Sequence, residues 1–118
     1  MNKSITQTNQ AIRRYIELRD FEIIEDGWAY GKDAINYIAR DHENGDLVFI
    51  ATNIFRNDGE GIPETKSDRK SFERLAAAYL ADADIDDCVI RFDIINLLVL
   101  SNGRGIVRHH RNALSEVG

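Results

Sequence analysis

The sequence predicts an α/β fold, a mixed β-sheet flanked by helices with elements in the order α-β-β-β-α-β-β. Residues 33–55 contain two strand patterns separated by Asn44-Gly45, a strong hairpin signal because both residues tolerate positive φ. Two segments carry the apolar period of an amphipathic helix, one at the start of the chain and one in its middle. Helices so placed can cover both faces of the sheet, so we expect one domain over residues 1–118.

The first helix is predicted from a capping box at residues 4–7 to about Leu18. Its apolar stripe contains Ile12 and Ile16, and the same stripe includes Asn9. An amide is therefore expected on the buried face. It can be a core asparagine satisfied by backbone or a position that belongs to a site.

The first strand is predicted over residues 21–25 and is expected to end at Asp26-Gly27. The hairpin follows, with strands over 34–40 and 47–55. Residues 47–50 are all apolar, which is typical of a central strand covered on both sides. Polar Asn36 and Asn53 interrupt these strands where burial should continue.

The second half begins with a glycine-rich surface loop over residues 56–66. Ser67 is a plausible N-cap for a helix whose apolar positions run from Phe72 to Ala83. An acidic turn follows, then a long strand over 89–100, a turn at 101–103 and a short strand over 106–109.

Composition limits the function. The chain has 118 residues, of which 43% are hydrophobic, and no apolar run approaches the ~20 residues of a membrane span. Without a secretory signal we expect a cytoplasmic protein. The single cysteine, Cys88, excludes an internal disulfide and is read as a small buried apolar residue. The net charge of −5 does not favour non-specific nucleic-acid binding, although a local basic patch can override it.

Two metal-like patterns are interpreted as incidental. The acidic turn 82–87 resembles the start of a calcium loop, but Asp87 replaces the required glycine and Asp93 the bidentate glutamate. Glu64-x-Lys66 matches the carboxylate-lysine pair of many nucleases, but it lies in a loop. Such a pair needs the shared face of one strand.

Basic residues form two candidate phosphate contacts. One lies at the start of the second helix, where free N–H groups attract anions. The other is near the C-terminus, beside His109-His110, which point to opposite faces of a strand and cannot easily chelate one metal. The alternatives are an ordinary charged helix face and a solvated chain end. The candidates for nucleic-acid binding are Lys66, Arg69, Lys70, Arg104 and Arg108.

Several phrases, in order over nearly the whole chain, resemble the YraN-like family of small bacterial proteins. Residues 15–17 and 21–24 resemble the family's "YLE…GYEIL", residues 35–41 resemble "IDLIARD", and residues 47–50 resemble the start of "LVFVEVK". Residues 61–64, 78–80, 91–93 and 112–114 complete the similarity. The resemblance implies the fold of the restriction endonucleases and Holliday-junction resolvases.

In that family the presumed metal site uses a glutamate of the first helix, the aspartate of "GEID" and the glutamate and lysine of "VEVK". The corresponding positions here are Asn9, Asn36, Ala51 and Asn53. All four have lost their charge, so the resemblance implies vestigial catalytic positions with no metal bound there.

Three hypotheses follow. The first is a non-catalytic member that binds nucleic acid through the basic patches, without a cofactor. The second is a Mg²⁺- or Mn²⁺-dependent nuclease that uses displaced carboxylates such as Asp33, Asp46 or Asp93. The third is a protein-interaction module, in which an exposed sheet edge can form a homodimer.

Overall fold

The computed structural model describes residues 3–56, 69–83, 85 and 88–114, with side chains from Thr8 onward. The predicted order of elements is confirmed. The elements are α1 (Lys3–Leu18), β1 (Phe21–Tyr30), β2 (Asp33–Asp41), β3 (Leu47–Arg56), α2 (Arg69–Ala83), β4 (Ile90–Val99) and β5 (Gly105–His110).

The five strands form one mixed sheet in the order β1-β2-β3-β4-β5. Neighbouring strands are antiparallel except β3 and β4, which pair in parallel. Parallel neighbours need a long crossover connection, and α2 lies in that connection.

Each helix covers one face of the sheet. On one face, Ile12 and Ile16 of α1 pack over a cluster that includes Val48 and Ile50 of β3. On the other face, α2 packs over a cluster that includes Phe49. We call these two groups of buried residues the α1 cluster and the α2 cluster. Alternate residues of β3 thus enter different cores, which confirms the prediction of a central strand buried on both sides.

The predicted end of the first strand is wrong, because β1 continues through Asp26-Gly27 to Tyr30. Gly27 has φ +86° and allows the strand to turn over without ending. Asp26 on one side of it binds Arg13 of α1, whereas Trp28 on the other side packs with the α2 cluster. The hairpin to β2 then closes through Gly31, at φ +61°.

The second strand also turns over, at Asn36. Tyr37 packs with the α1 cluster but Ile35 packs with the α2 cluster, although residues two apart share a face in a regular strand. The pairing of β2 with β3 ends at Tyr37 and Ile50. The two strands part beyond this point and leave a gap under the first half of α1.

The structure describes some of the other predicted features and not others. The turn between β2 and β3 is present, but only Gly45 has positive φ there, and its N–H bonds to Asp41 four residues back. Cys88 packs half-buried against the α2 cluster. The loop predicted over 56–66 begins one residue later, because Arg56 ends β3. Residues 57–66, the Ser67 cap and most of the acidic turn lie outside the described residues. No helix in the described part of the chain is long and apolar enough to cross a membrane.

Candidate functional site

The gap beneath α1 is a cleft of about 520 Å³ whose lining includes Asn9, Asn36 and Thr52. Asn9 is exposed, so the prediction that it faces the core is wrong. The apolar stripe of α1 packs on the sheet at Ile12 and Ile16. One turn earlier the parted strands offer no surface to pack against, and Asn9 overhangs the cleft.

Asn36 joins the two parted strands. Its Oδ1 accepts a hydrogen bond from the backbone N–H of Thr52 at 2.9 Å. The side chain thereby takes the place of a strand-to-strand bond beyond the last regular pair. This oxygen already has a donor, and Asn36 contributes no charge to the cleft.

The other two vestigial positions lie on the opposite face of β3. Ala51 packs against the α2 cluster. Asn53 donates from Nδ2 to Oδ1 of Asn96 at 3.0 Å, and these residues are paired in the parallel register. The fold therefore brings Asn9 and Asn36 to one cleft and separates both from Ala51 and Asn53.

A metal-binding arrangement needs several ligands that converge on one point. The described residues contain no group of three or more histidine, cysteine, aspartate or glutamate side chains that could hold a metal ion.

The three acids considered as displaced ligands are each paired with an arginine. Asp33 lies 3.2 Å from Nε of Arg74, while Asp46 and Asp93 both contact Arg91. Asp33 begins β2 and Asp46 follows its other end. At ~3.3 Å per residue, the eight steps along that strand correspond to ~26 Å. A single metal cannot bind at both ends of β2.

A buried charge network, which the sequence did not predict, is centred on Arg91. Its guanidinium makes two bonds to Asp93, at 2.9 and 3.0 Å, and a third to Asp41 at 3.0 Å. Both carboxylates are fully buried. Asp46 binds the same guanidinium at 3.2 Å, and Arg111 also donates to Asp41, at 3.1 Å. Buried charges of this kind are tolerated only when paired and hydrogen-bonded.

Asp93 is the most heavily hydrogen-bonded acid of this network. Besides Arg91 it accepts from Nε2 of His109 at 2.8 Å and from the backbone N–H of Asn112 at 2.9 Å. Burial alone would raise the pKa of Asp93, but the bonds from His109, Arg91 and Asn112 together hold it below its ordinary value. Asp93 is therefore an ionised anchor for β4, β5 and the turn after β5.

The network extends to α1 through His109. Its Nδ1 lies 3.1 Å from the hydroxyl of Tyr15, which also accepts from Nε of Arg19 at 3.2 Å. The prediction of a solvated chain end is wrong for His109, whose side chain is only 10% exposed. His110 is exposed, as expected for the opposite face. One signal pointed to this network, since Arg91 and Asp93 are charged residues within a predicted strand and Asp41 directly follows another.

The predicted basic residues lie in two places. Arg69 and Lys70 begin α2 and are exposed, and Arg69 donates to the carbonyl of Leu114. Arg104 lies in the turn before β5, bonded through its carbonyl to Leu100. Arg108 is exposed on β5 and pairs in register with Asn96. Lys66 lies outside the described residues.

Comparison with known proteins identifies relatives over most of the chain. A UPF0102 protein of Beutenbergia cavernae is 30% identical over 103 residues, covering 83% of this chain and 84% of the relative. A UPF0102 protein of Chlorobaculum tepidum is 31% identical over 82% of this chain and 76% of its own length. One from Geotalea daltonii is 26% identical over 95% of this chain and 90% of its own. No family model matches the chain.

Proposed function

The chain belongs to the UPF0102 family, the YraN-like family that its sequence resembles, and we propose that it is a non-catalytic, nucleic-acid-binding member with a nuclease-like fold. One observation carries the proposal. At two of the four expected catalytic positions, Asn36 and Asn53 are uncharged and their amides are used in hydrogen bonds within the sheet.

Chemistry supports the loss of catalysis. Hydrolysis assisted by Mg²⁺ or Mn²⁺ needs carboxylates to bind the ion and hold it against water. Three amides and an alanine supply no charge, and Asn9 and Asn36 lie on the opposite side of the sheet from Ala51 and Asn53. Binding of nucleic acid through basic residues, without cleavage, needs no metal.

The basic residues support a backbone-directed contact with nucleic acid. Arg69 is near the first residues of β4, since Phe72 of the next turn packs against Phe92, with ring centroids 4.8 Å apart. Arg104 is next to Leu100, beyond the far end of β4. The eight steps from Phe92 to Leu100 correspond to ~26 Å at ~3.3 Å per residue, a span that suits several phosphates of one strand. Phosphate contacts position nucleic acid without reading its sequence.

Of these basic residues, Arg108 is the one that lies near a vestigial catalytic position. It pairs with Asn96, which pairs with Asn53 on the next strand. Residues directly paired across strands project to the same face of a sheet. A nucleic acid on Arg108 would therefore lie beside the Asn53–Asn96 pair.

Fluorescence anisotropy with branched, single-stranded and duplex DNA at low salt tests the proposal. The double variant Arg104→Gln/Arg108→Gln should bind more weakly and lower the slope of log K against log salt by about 1.8 on duplex DNA, at ~0.9 per lost contact. The matched control is Arg14→Gln/Lys32→Gln, which removes two exposed charges elsewhere. Equal losses in both variants, or no binding at any salt, would overturn the proposal.

The nuclease hypothesis is tested with the same branched DNA and Mn²⁺. We expect no cleavage. Cleavage that requires Mn²⁺ and disappears in both Asp33→Ala and Asp93→Ala, while circular dichroism shows both variants folded at the assay temperature, would establish displaced catalytic carboxylates. Cleavage that those variants leave undiminished would indicate a contaminating nuclease.

A role in protein interaction is favoured by one observation. β5 borders the sheet, and its Ile106 and Val107 are exposed at 48% and 39%. Apolar residues on an edge strand can pair with a second copy of the chain. A concentration-dependent dimer in light scattering, lost in Val107→Lys, would support this function if DNA binding is absent.

A further inference from the structure

A second cleft, of about 420 Å³, borders the charge network at His109 and Arg111. It is formed by the end of α1, the turn after β2 and the end of β5, and its charged and polar lining is Tyr15, Arg19, Asp20, Glu43, His109 and Arg111. Its volume falls in the range of small-molecule sites.

The cleft offers two guanidinium groups that retain free donors. Arg19 binds Tyr15 through Nε, and within the described residues its terminal nitrogens make no hydrogen bond. Arg111 uses Nη2 for Asp41, and half of its side chain is exposed. Guanidinium carries five N–H donors in a fork that matches phosphate oxygens.

The hydroxyl of Tyr15 is held in place between Arg19 and His109. It accepts from Arg19 and lies 3.1 Å from His109, which is fixed in turn by the buried Asp93. A polar group positioned by a buried chain of partners loses little freedom when a ligand binds.

Two carboxylates line the same cleft, which makes it unsuited to an anion alone. Asp20 and Glu43 balance the charge of the two arginines. Their segments are joined, because the backbone N–H of His42 donates to the carbonyl of Asp20 at 3.1 Å. Carboxylates at the edge of phosphate sites accept hydrogen bonds from sugar hydroxyls.

We propose that this cleft binds a sugar phosphate, with the phosphate on Arg19 and Arg111 and sugar hydroxyls on Asp20 and Glu43. The sugar phosphate can be a free nucleotide or the phosphorylated terminal nucleotide of a strand, which have the same chemistry. The inference does not depend on the proposed function, since a free nucleotide can bind in the absence of any nucleic-acid contact.

Binding is measured by titration of the ¹⁵N-labelled protein with AMP, ribose 5-phosphate, inorganic phosphate and adenosine. AMP and ribose 5-phosphate should bind at least ~10-fold more tightly than phosphate or adenosine, because only they contact both the arginines and the carboxylates. Short RNA strands with and without a 5′-phosphate separate the two sources. Preference for the phosphorylated strand over AMP assigns the strand end, and the reverse assigns the free nucleotide.

Two variants test the two halves of the cleft. Arg19→Gln should weaken AMP binding ~10-fold, which equals ~1.4 kcal/mol, whereas Arg14→Gln, five residues earlier on α1, should leave it unchanged. Asp20→Asn should weaken AMP but strengthen inorganic phosphate, because it removes a like charge. A folding defect would weaken both ligands, so this opposite response is diagnostic.

The proposal is overturned if the wild-type protein binds none of these probes. It is also overturned if Arg19→Gln and Arg14→Gln have equal effects. Weaker duplex binding in Arg104→Gln/Arg108→Gln with unchanged AMP binding would separate this site from the proposed nucleic-acid surface.

Discussion

At the scale of single residues, the protein is organised by Asp93. This fully buried carboxylate accepts hydrogen bonds from Arg91, His109 and the backbone of Asn112. Its donors lie on two strands and in the turn that follows them. Each member of such a site is needed for stability, because removal of one leaves its partners buried and unpaired.

Asp93→Asn should therefore lower the free energy of unfolding by about 3–5 kcal/mol, the usual cost of breaking a buried ion pair. The matched control is Asp26→Asn, which also removes an arginine-bound carboxylate but one that is 64% exposed. Its loss should be under ~1 kcal/mol. Urea denaturation measures both, and equal losses would contradict the central role of Asp93.

The same carboxylate predicts a pH dependence. The pKa of Asp93 is lowered in the folded protein from an ordinary value of 3.8. A depressed carboxyl pKa contributes stability above the unfolded pKa and loses it as the pH falls through the folded pKa. The stability difference between wild type and Asp93→Asn, measured in urea from pH 7 to pH 2, should therefore shrink below about pH 4. A constant difference would show that the pKa is not lowered.

At the scale of elements, the long strands depend on local reversals of their faces. β1 turns over at Gly27 and β2 at Asn36, which allows both to contact the two helices. The reversal in β2 also separates it from β3 and opens the cleft under α1. The cleft under α1 therefore results from this irregularity in β2.

Gly27→Ala should cost ~1–2 kcal/mol, because its φ of +86° is unfavourable for a residue with a Cβ. An added Cβ would meet nothing within 4 Å, so the cost arises in the backbone alone. Gly27→Asn should cost less, since asparagine tolerates positive φ better. Thermal and urea unfolding of the two variants give the comparison. An alanine variant as stable as wild type would exclude this backbone conformation.

At the scale of the whole molecule, one sheet separates two apolar cores. Ile16 is fully buried in the α1 cluster and Ile38 in the α2 cluster. Each core has its own helix, and the charge network reaches the end of the sheet where β2, β4 and β5 meet α1.

Because the cores share no side chains, Ile16→Val and Ile38→Val should act independently. Each should lower the free energy of unfolding by about 0.5–1.5 kcal/mol. The double variant should equal their sum within ~0.5 kcal/mol, as distant sites usually do. Urea denaturation of the three variants tests this, and a larger coupling would mean that the sheet transmits strain between its faces.

Much of the fold was predictable because it rests on local patterns. The 3.6-residue period of α1 and α2, the apolar run of β3 and the hairpin signal at Gly45 all act over neighbouring residues. The family could also be recognised from the order of short phrases. The end of β1 was misjudged because Asp26-Gly27 commonly ends a strand, and only pairing with β2 keeps the chain extended there.

The sequence by itself determined the element order, the two buried faces of β3 and the loss of charge at Asn9, Asn36, Ala51 and Asn53. Tertiary structure alone decided which of these residues meet. It also decided that Asp41, Arg91, Asp93 and His109 form one network, although up to 68 residues separate them along the chain. The physical reason is that pairing of charges depends on strand register and on which face each residue occupies, and both are set by long-range contacts.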